Sequence, residues 1–163
     1  MIRLTVPRVG MLLSLFLLAG CSKEDAGPAI DSAQIIGSWQ IITITADPAV
    51  TSPTDGTTTD VLQLYQQNIG KDCVGPTRYE FAAGGALQLA SSADCQNRLT
   101  NLFGFTSANW RTNGRQLRIE GNYDALSYTV TEQSPQTMAW QRTEYNSPFD
   151  GKTHVYTIIL VKR

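Results

Sequence analysis

The sequence predicts an all-β domain, an eight-stranded antiparallel up-and-down barrel, and three observations carry that expectation. Beyond residue 36 apolar and polar residues alternate with a period of two, in segments rich in Thr, Tyr, Val, Ile and Trp. Turn residues cut the pattern into eight candidate strands, at 37–46, 77–82, 86–91, 106–112, 115–120, 126–132, 137–144 and 153–162. The connections also alternate in length. Those after the second, fourth and sixth strands are tight, and the others are longer, as in a cup closed at one end. Eight such strands close into a barrel wide enough for one small ligand or for its own side chains.

The barrel does not begin at residue 1. Arg3 and Arg8 give a short positive segment, and Met11 to Leu18 form an apolar run too short to span a membrane comfortably. The run ends in Leu18-Ala19-Gly20-Cys21. This resembles the lipobox of bacterial lipoproteins, which implies that residues 1–20 are a signal peptide and that Cys21 is the lipidated residue. Each buried acyl CH₂ contributes roughly 0.8 kcal/mol, so two or three palmitate-like chains hold a protein on a membrane. Residues 21–33 then read as a lipidated N-terminus and tether, and residues 34–163 as the domain. Ser22-Lys23-Glu24-Asp25 has two readings, a surface-export signal of Bacteroidota lipoproteins or a solvated charged tether. The expected location is the cell envelope, at the outer membrane, on its periplasmic face or the cell surface.

Charge narrows the partners. The chain has 13 Lys and Arg against 14 Asp and Glu, and the signal takes Arg3 and Arg8, leaving eleven against fourteen, a net charge of −3. With no basic patch and no aromatic–basic interleaving, nucleic acid is not expected as a partner.

Each strand follows from pairing. Mirror pairing about Gly84 sets Tyr79 opposite Leu89 and Phe81 opposite Leu87, with Arg78, Glu80 and Gln88 on the other face. Asn113-Gly114 is a strong type I′ signal, and a turn there sets Trp110 opposite Leu117 and Ala108 opposite Ile119. A third turn near Ser134-Pro135 pairs Val130 with Met138 and Tyr128 with Trp140. All three hairpins send apolar residues to one face, which accident rarely arranges. In the first strand Ile42 and Ile44 fall opposite Trp39 and Ile41, which implies a bulge or a covered outer face.

Two helical segments complete the domain. Ile30 to Ile36 can form a capping turn before the first strand. In the first long loop, 47–76, the Thr51-to-Thr59 stretch reads as mobile low-complexity chain. Asp60 then caps a helix that puts Val61, Leu64, Tyr65 and Ile69 on one face and stops at Gly70. That helix either lies across the mouth as a lid or plugs the top of the core.

Cys73 and Cys95 obey the same mirror relation as Tyr79 and Leu89, so a disulfide between them is expected, worth roughly 3 kcal/mol for a loop of this length. The alternative is a reactive thiol or metal pair, but no histidine lies near in sequence.

Gly37-Ser38-Trp39 at the start of the first strand resembles the G-x-W motif of the lipocalins. With the lipobox, the strand count, the Cys pair and the Val161-Lys162-Arg163 ending, residues 30–163 resemble the small lipocalin-like lipoproteins of Bacteroidota. The resemblance implies that Trp39 floors the barrel and that a cationic side chain near the end of the last strand lies across it. That is Arg163 or, failing it, Lys162, and a cation over indole is worth about 0.5–2 kcal/mol. The domain is shorter than most lipocalins, which implies a small cavity or none.

Tyr79, Phe81, Trp110, Tyr128 and Trp140 are the expected walls of the cup, suited to a flat or apolar molecule. Arg142 shares their inward parity near the mouth. It can hold an anionic head group in bidentate fashion or pair with Glu144. His154 is the sole histidine, it lacks the context of a catalytic triad or zinc site, and it is expected at the rim without a special role. No enzyme, metal or cofactor is therefore expected. The expected function is binding of a small apolar or amphipathic molecule by a lipid-anchored protein. The alternative is a solid barrel whose open-end loops contact another envelope protein.

Overall fold

Strands form where the alternation runs, and the computed structural model describes residues 29–103, 105–122 and 124–163. Residues 1–20, Cys21 and residues 22–25, on which the expected signal peptide, lipidation and export signal fall, lie outside the described residues. In chain order the elements are α1 (Ser32–Ile35), β1 (Gly37–Ser52), β2 (Gly56–Asp60), α2 (Val61–Ile69), α3 (Lys71–Val74), β3 (Arg78–Phe81) and β4 (Ala86–Ala90). They continue with α4 (Ala93–Phe103), β5 (Ser107–Asn113), β6 (Gln116–Glu120), β7 (Ala125–Gln133), β8 (Thr137–Glu144) and β9 (His154–Lys162).

Eight of these strands close a barrel. β1, β3, β4, β5, β6, β7, β8 and β9 pair antiparallel in that order, and β9 pairs back onto β1. This is the lipocalin-like architecture expected. β2 is additional. On the edge that β9 leaves free, β1 gives Gly37–Trp39 to β3 and Thr45 and Val50–Ser52 to β2. The Thr51-to-Thr59 stretch is therefore a strand hairpin. Its polar β-branched residues suit a two-stranded ribbon that needs no core.

The long first strand keeps one face inward by changing phase. Its pairing with β9 slips between Ile41 and Thr43, so Ile42 is the extra residue of a bulge. Trp39 and Ile41 point in before it, Ile44 and Ala46 after it, and Ile42 is exposed.

The closed end is built tightly. Trp39 is fully buried, and its indole N–H donates to the Ile35 carbonyl at the end of α1 (2.6 Å). The cation over its ring is Lys162, with Nζ 5.2 Å from the ring centroid. Arg163 lies beyond, its Nε donating to the Gln40 side chain at 2.8 Å. The inward cation is Lys162 because Trp39 pairs with residue 162, and period two turns the next side chain away. Gly37 makes room for it: at φ +132°, a Cβ there would come within 2.6 Å of Lys162 Cε.

Hairpin registers divide into one met and two shifted. About Gly84 the pairs are Tyr79–Leu89 and Phe81–Leu87, as expected. At the second hairpin Trp110 pairs with Ile119 and Thr112 with Leu117, two residues from expectation. The turn is Gly114-Arg115, with positive φ at Gly114 and at no non-glycine described residue, so the I′ geometry that needs Asn113 at positive φ does not form. Arg115 is held by a 2.9 Å bond from its Nε to the Val130 carbonyl. At the third hairpin Val130 pairs with Trp140, again two residues off, because Thr131 bulges and Ser134 closes the turn with bonds to Thr137.

Helices cover the other end. Asp60 caps α2 through a bond from the Gln63 amide, and Val61, Leu64 and Ile69 are buried as expected. α3 and α4 were not anticipated. Cys73 in α3 and Cys95 in α4 form a disulfide that joins them, with a Cα–Cα distance of 5.1 Å.

Candidate functional site

The barrel is filled in its lower half and hollow in its upper half. Phe81 and Trp110 pack edge to face at a centroid distance of 5.6 Å, and Phe81 packs likewise against Trp140 at 5.9 Å. The Trp110 indole donates to the Ala82 carbonyl in the closed-end turn (3.1 Å). Leu87, Leu117, Met138 and Leu160 complete this layer, each at most 1 % exposed. Phe81 and Trp110 are part of this layer and are not among the lining residues of the cavity above it. They sit toward the closed-end turns of their hairpins.

Above that layer is a cavity of about 290 Å³. Of the six residues expected to line it, Tyr79, Tyr128, Trp140 and Arg142 do. They are joined by residues that sequence reasoning did not place there. Tyr65 comes from α2, Tyr156 and Ile158 from β9, and Phe105 from the chain after α4. Parity along β9 could have found Tyr156 and Ile158, since they share the phase of buried Leu160. Phe105 follows a helix and carries no periodic signal.

The hydroxyls of the wall are neutral. Burial pushes the Tyr65, Tyr79, Tyr128 and Tyr156 phenols above their usual range. Arg142 has taken a partner on its own strand: its guanidinium is paired with the Glu144 carboxylate, both side chains about one-fifth exposed, and it stands over the Tyr128 ring at 5.8 Å. Burial lowers the guanidinium's pKa, but Tyr128 and Glu144 outweigh it and raise the value, so the charge stays. Of the two roles expected of Arg142, the pairing with Glu144 is the one present, and the side chain also lines the cavity.

One buried polar atom stands out. Trp140 is 1 % exposed, and among the described residues its indole Nε1 has no hydrogen-bond partner. The indoles of Trp39 and Trp110 both have one.

The rim is tied by His154, which is buried and paired. Its Nδ1 lies 2.8 Å from the Pro48 carbonyl and its Nε2 3.0 Å from Asp150 Oδ1. Both neighbours are acceptors, so the two contacts are both satisfied only by the imidazolium, which this geometry favours. Burial lowers the His154 pKa, but the bonds to Pro48 and Asp150 prevail and raise it. Burial likewise raises the Asp150 pKa, but bonds from the Thr51 amide, His154 and the Lys152 amide outweigh it and lower the value to about 2. The pair locks the β8–β9 connection to β1. In that connection Phe149 packs on Tyr65 at 5.2 Å, the cavity's link to α2.

Comparison with known proteins adds little beyond this geometry. No family model matches the chain, and no curated protein matches it in sequence. Among solved structures the chain is similar to bovine odorant binding protein in complex with undecanal. The identity is 12 %, the TM-score is 0.40, and the match covers 84 % of this chain and 76 % of that one.

Proposed function

We propose that this chain is a lipid-anchored cell-envelope protein that binds a small apolar or amphipathic molecule in the upper half of its barrel and catalyses no reaction. One observation carries the binding: a cavity of about 290 Å³ walled by aromatic and aliphatic side chains, with a few polar groups converging on it. Its volume is about twice that of the ~150 Å³ apolar cavity known to hold benzene, which suits a ligand of two fused rings or a short chain. Helix α2, which contributes Tyr65 to the wall, is the lid. The anchor rests on Leu18-Ala19-Gly20-Cys21, and the location proposed with it is the outer membrane, on its periplasmic face or the cell surface.

Native mass spectrometry of the protein from a bacterial periplasm tests the binding. The expected result is a discrete adduct that disappears on denaturation. A bare mass that stays bare after incubation with mixed lipids and small aromatic compounds would sink this reading. It would favour a second one, supported by Tyr145, which is 77 % exposed at the open end. In that reading the open-end loops dock another envelope protein, and altering residues 145–152 abolishes its capture.

A further inference from the structure

Where the cavity meets solvent sets which molecules it takes, an inference that rests on the binding reading above. We infer that the cavity opens sideways, between β7 and β8, and takes an elongated amphipathic molecule. Its apolar end fills the cavity, and its polar end lies in the cleft between those two strands.

The strand pairing comes first. Toward the open end β7 stays paired with β6 as far as Ala125, and β8 stays paired with β9 as far as Glu144. The pairing of β7 with β8 stops at Thr129 and Gln141. Residues 125–128 and 142–144 are therefore held by their other neighbours and not by one another, which leaves a notch in the wall. Its cause is local: Thr131 bulges from β7 just below, and a bulge bends and twists its strand. β1 and β3 also part at this end, beyond Trp39 and Tyr79, but α2 packs against β1. On the two sides of the notch Ser127 and Thr143 are exposed.

Continuity comes second. Residues of both strands line a surface cleft of about 540 Å³ at the notch. Asp124, Leu126 and Arg142 line this cleft and the cavity alike, so the two spaces adjoin there. The lining changes character across that boundary. The cavity side is mostly aromatic and aliphatic, whereas the cleft presents Ser127, Thr129, Gln141, Thr143 and Asn146. An apolar group gains by leaving water for the cavity, and a polar group loses by following it without a partner. A molecule with one end of each kind meets both conditions, since its polar end stays among hydroxyls, amides and water. Helix α2 then remains in place, with Tyr65 packed on Phe149.

The octanoyl amide of amino-TEMPO, an alkyl chain with a nitroxide at its polar end, tests the inference on the isotope-labelled protein. The radical broadens the NMR signals of the amides nearest to it. The expected result is that the Ser127, Thr143 and Asn146 amides broaden most and those of Gln63 and Gln67 on α2 least. Strongest broadening on α2 would put the mouth at the top of the barrel, and a bound probe that broadens neither set most would bury its polar end. Either outcome overturns the inference and leaves the binding reading intact. Thr143→Phe, which narrows the cleft from outside, should slow the probe's association roughly tenfold, within the range that mutation changes an on-rate. That rate is read by nitroxide quenching of tryptophan fluorescence, and an unchanged rate in the folded variant would also overturn the inference. If the variant does not fold, the wild-type broadening decides. A probe that fails to bind while native mass spectrometry shows an adduct overturns the inference alone. Failure of the probe with no adduct either overturns both.

Discussion

At the residue scale, hydrogen-bond arithmetic decides what composition leaves open. His154 reads in the sequence as an idle rim histidine, since no catalytic or metal motif surrounds it. In the fold it is 1 % exposed and lies between two acceptors, the Pro48 carbonyl and Asp150, which favour the imidazolium. Its stability contribution then depends on pH in a defined direction. With a folded pKa raised above 6.5, the contribution of His154 is complete below that pH and fades as pH rises through the folded value. With a folded pKa lowered from 3.8 to about 2, the contribution of Asp150 is complete above 3.8 and fades as pH falls toward 2. The pair therefore stabilises most between those two reference values. Thermal melts of wild type and His154→Gln should differ most near pH 5 and converge toward pH 9. A gap that widens with rising pH would show that the ring is neutral in the fold.

At the element scale, β1 shows how a strand corrects its own pattern. Strict alternation would bury Trp39 and Ile41 and expose both Ile42 and Ile44. The bulge at Ile42 absorbs one residue, and Ile44 returns to the core at 3 % exposure while Ile42 stays 44 % exposed. Ile44→Ala should therefore cost about 2–4 kcal/mol in urea denaturation, as deletion of buried methyl groups does. Ile42→Thr should stay within about 0.5 kcal/mol of wild type, as exposed substitutions do. Equal costs would mean that the bulge lies elsewhere. The two shifted hairpins teach the complementary point. A slip of two residues leaves every side chain on its face, so parity cannot detect it. Turn chemistry was the sequence's only handle on register, and Arg115 and Ser134 bonded in ways that a dipeptide signal does not encode.

At the scale of the whole molecule, the barrel divides into a solid base and a hollow top. The base is held by Trp39, Lys162 and α1 below and by the Phe81–Trp110–Trp140 stack above. The top is closed by α2 and by the α3–α4 pair under its disulfide. Because the cavity lies above the base, filling it should spare the fold. Leu126 lines the cavity from β7 and is only half-buried, so Leu126→Trp should fold with a melting temperature near that of wild type and lose the adduct seen by native mass spectrometry. Loss of folding together with the adduct would mean that the cavity walls carry the barrel's stability.

Sequence alone determined the barrel, its strand count, its closed end, the α2 helix with its Asp60 cap, and the Cys73–Cys95 pair. These rest on local periodicity, short-range turns and pairings close in the chain, where a residue's neighbours in space are its neighbours in sequence. Tyr79, Tyr128, Trp140 and Arg142 were legible as inward residues for the same reason. Only the tertiary structure decided how high each sits in the barrel, which separated Phe81 and Trp110 in the base from the residues that line the cavity. It alone put Lys162 over Trp39, since that choice depends on the register of β9 against β1. It alone brought Tyr65, Phe105 and Tyr156 to the same hollow. Among the described residues it alone left the Trp140 indole without a partner, because satisfaction of a buried donor is a sum over every chain segment that could reach it.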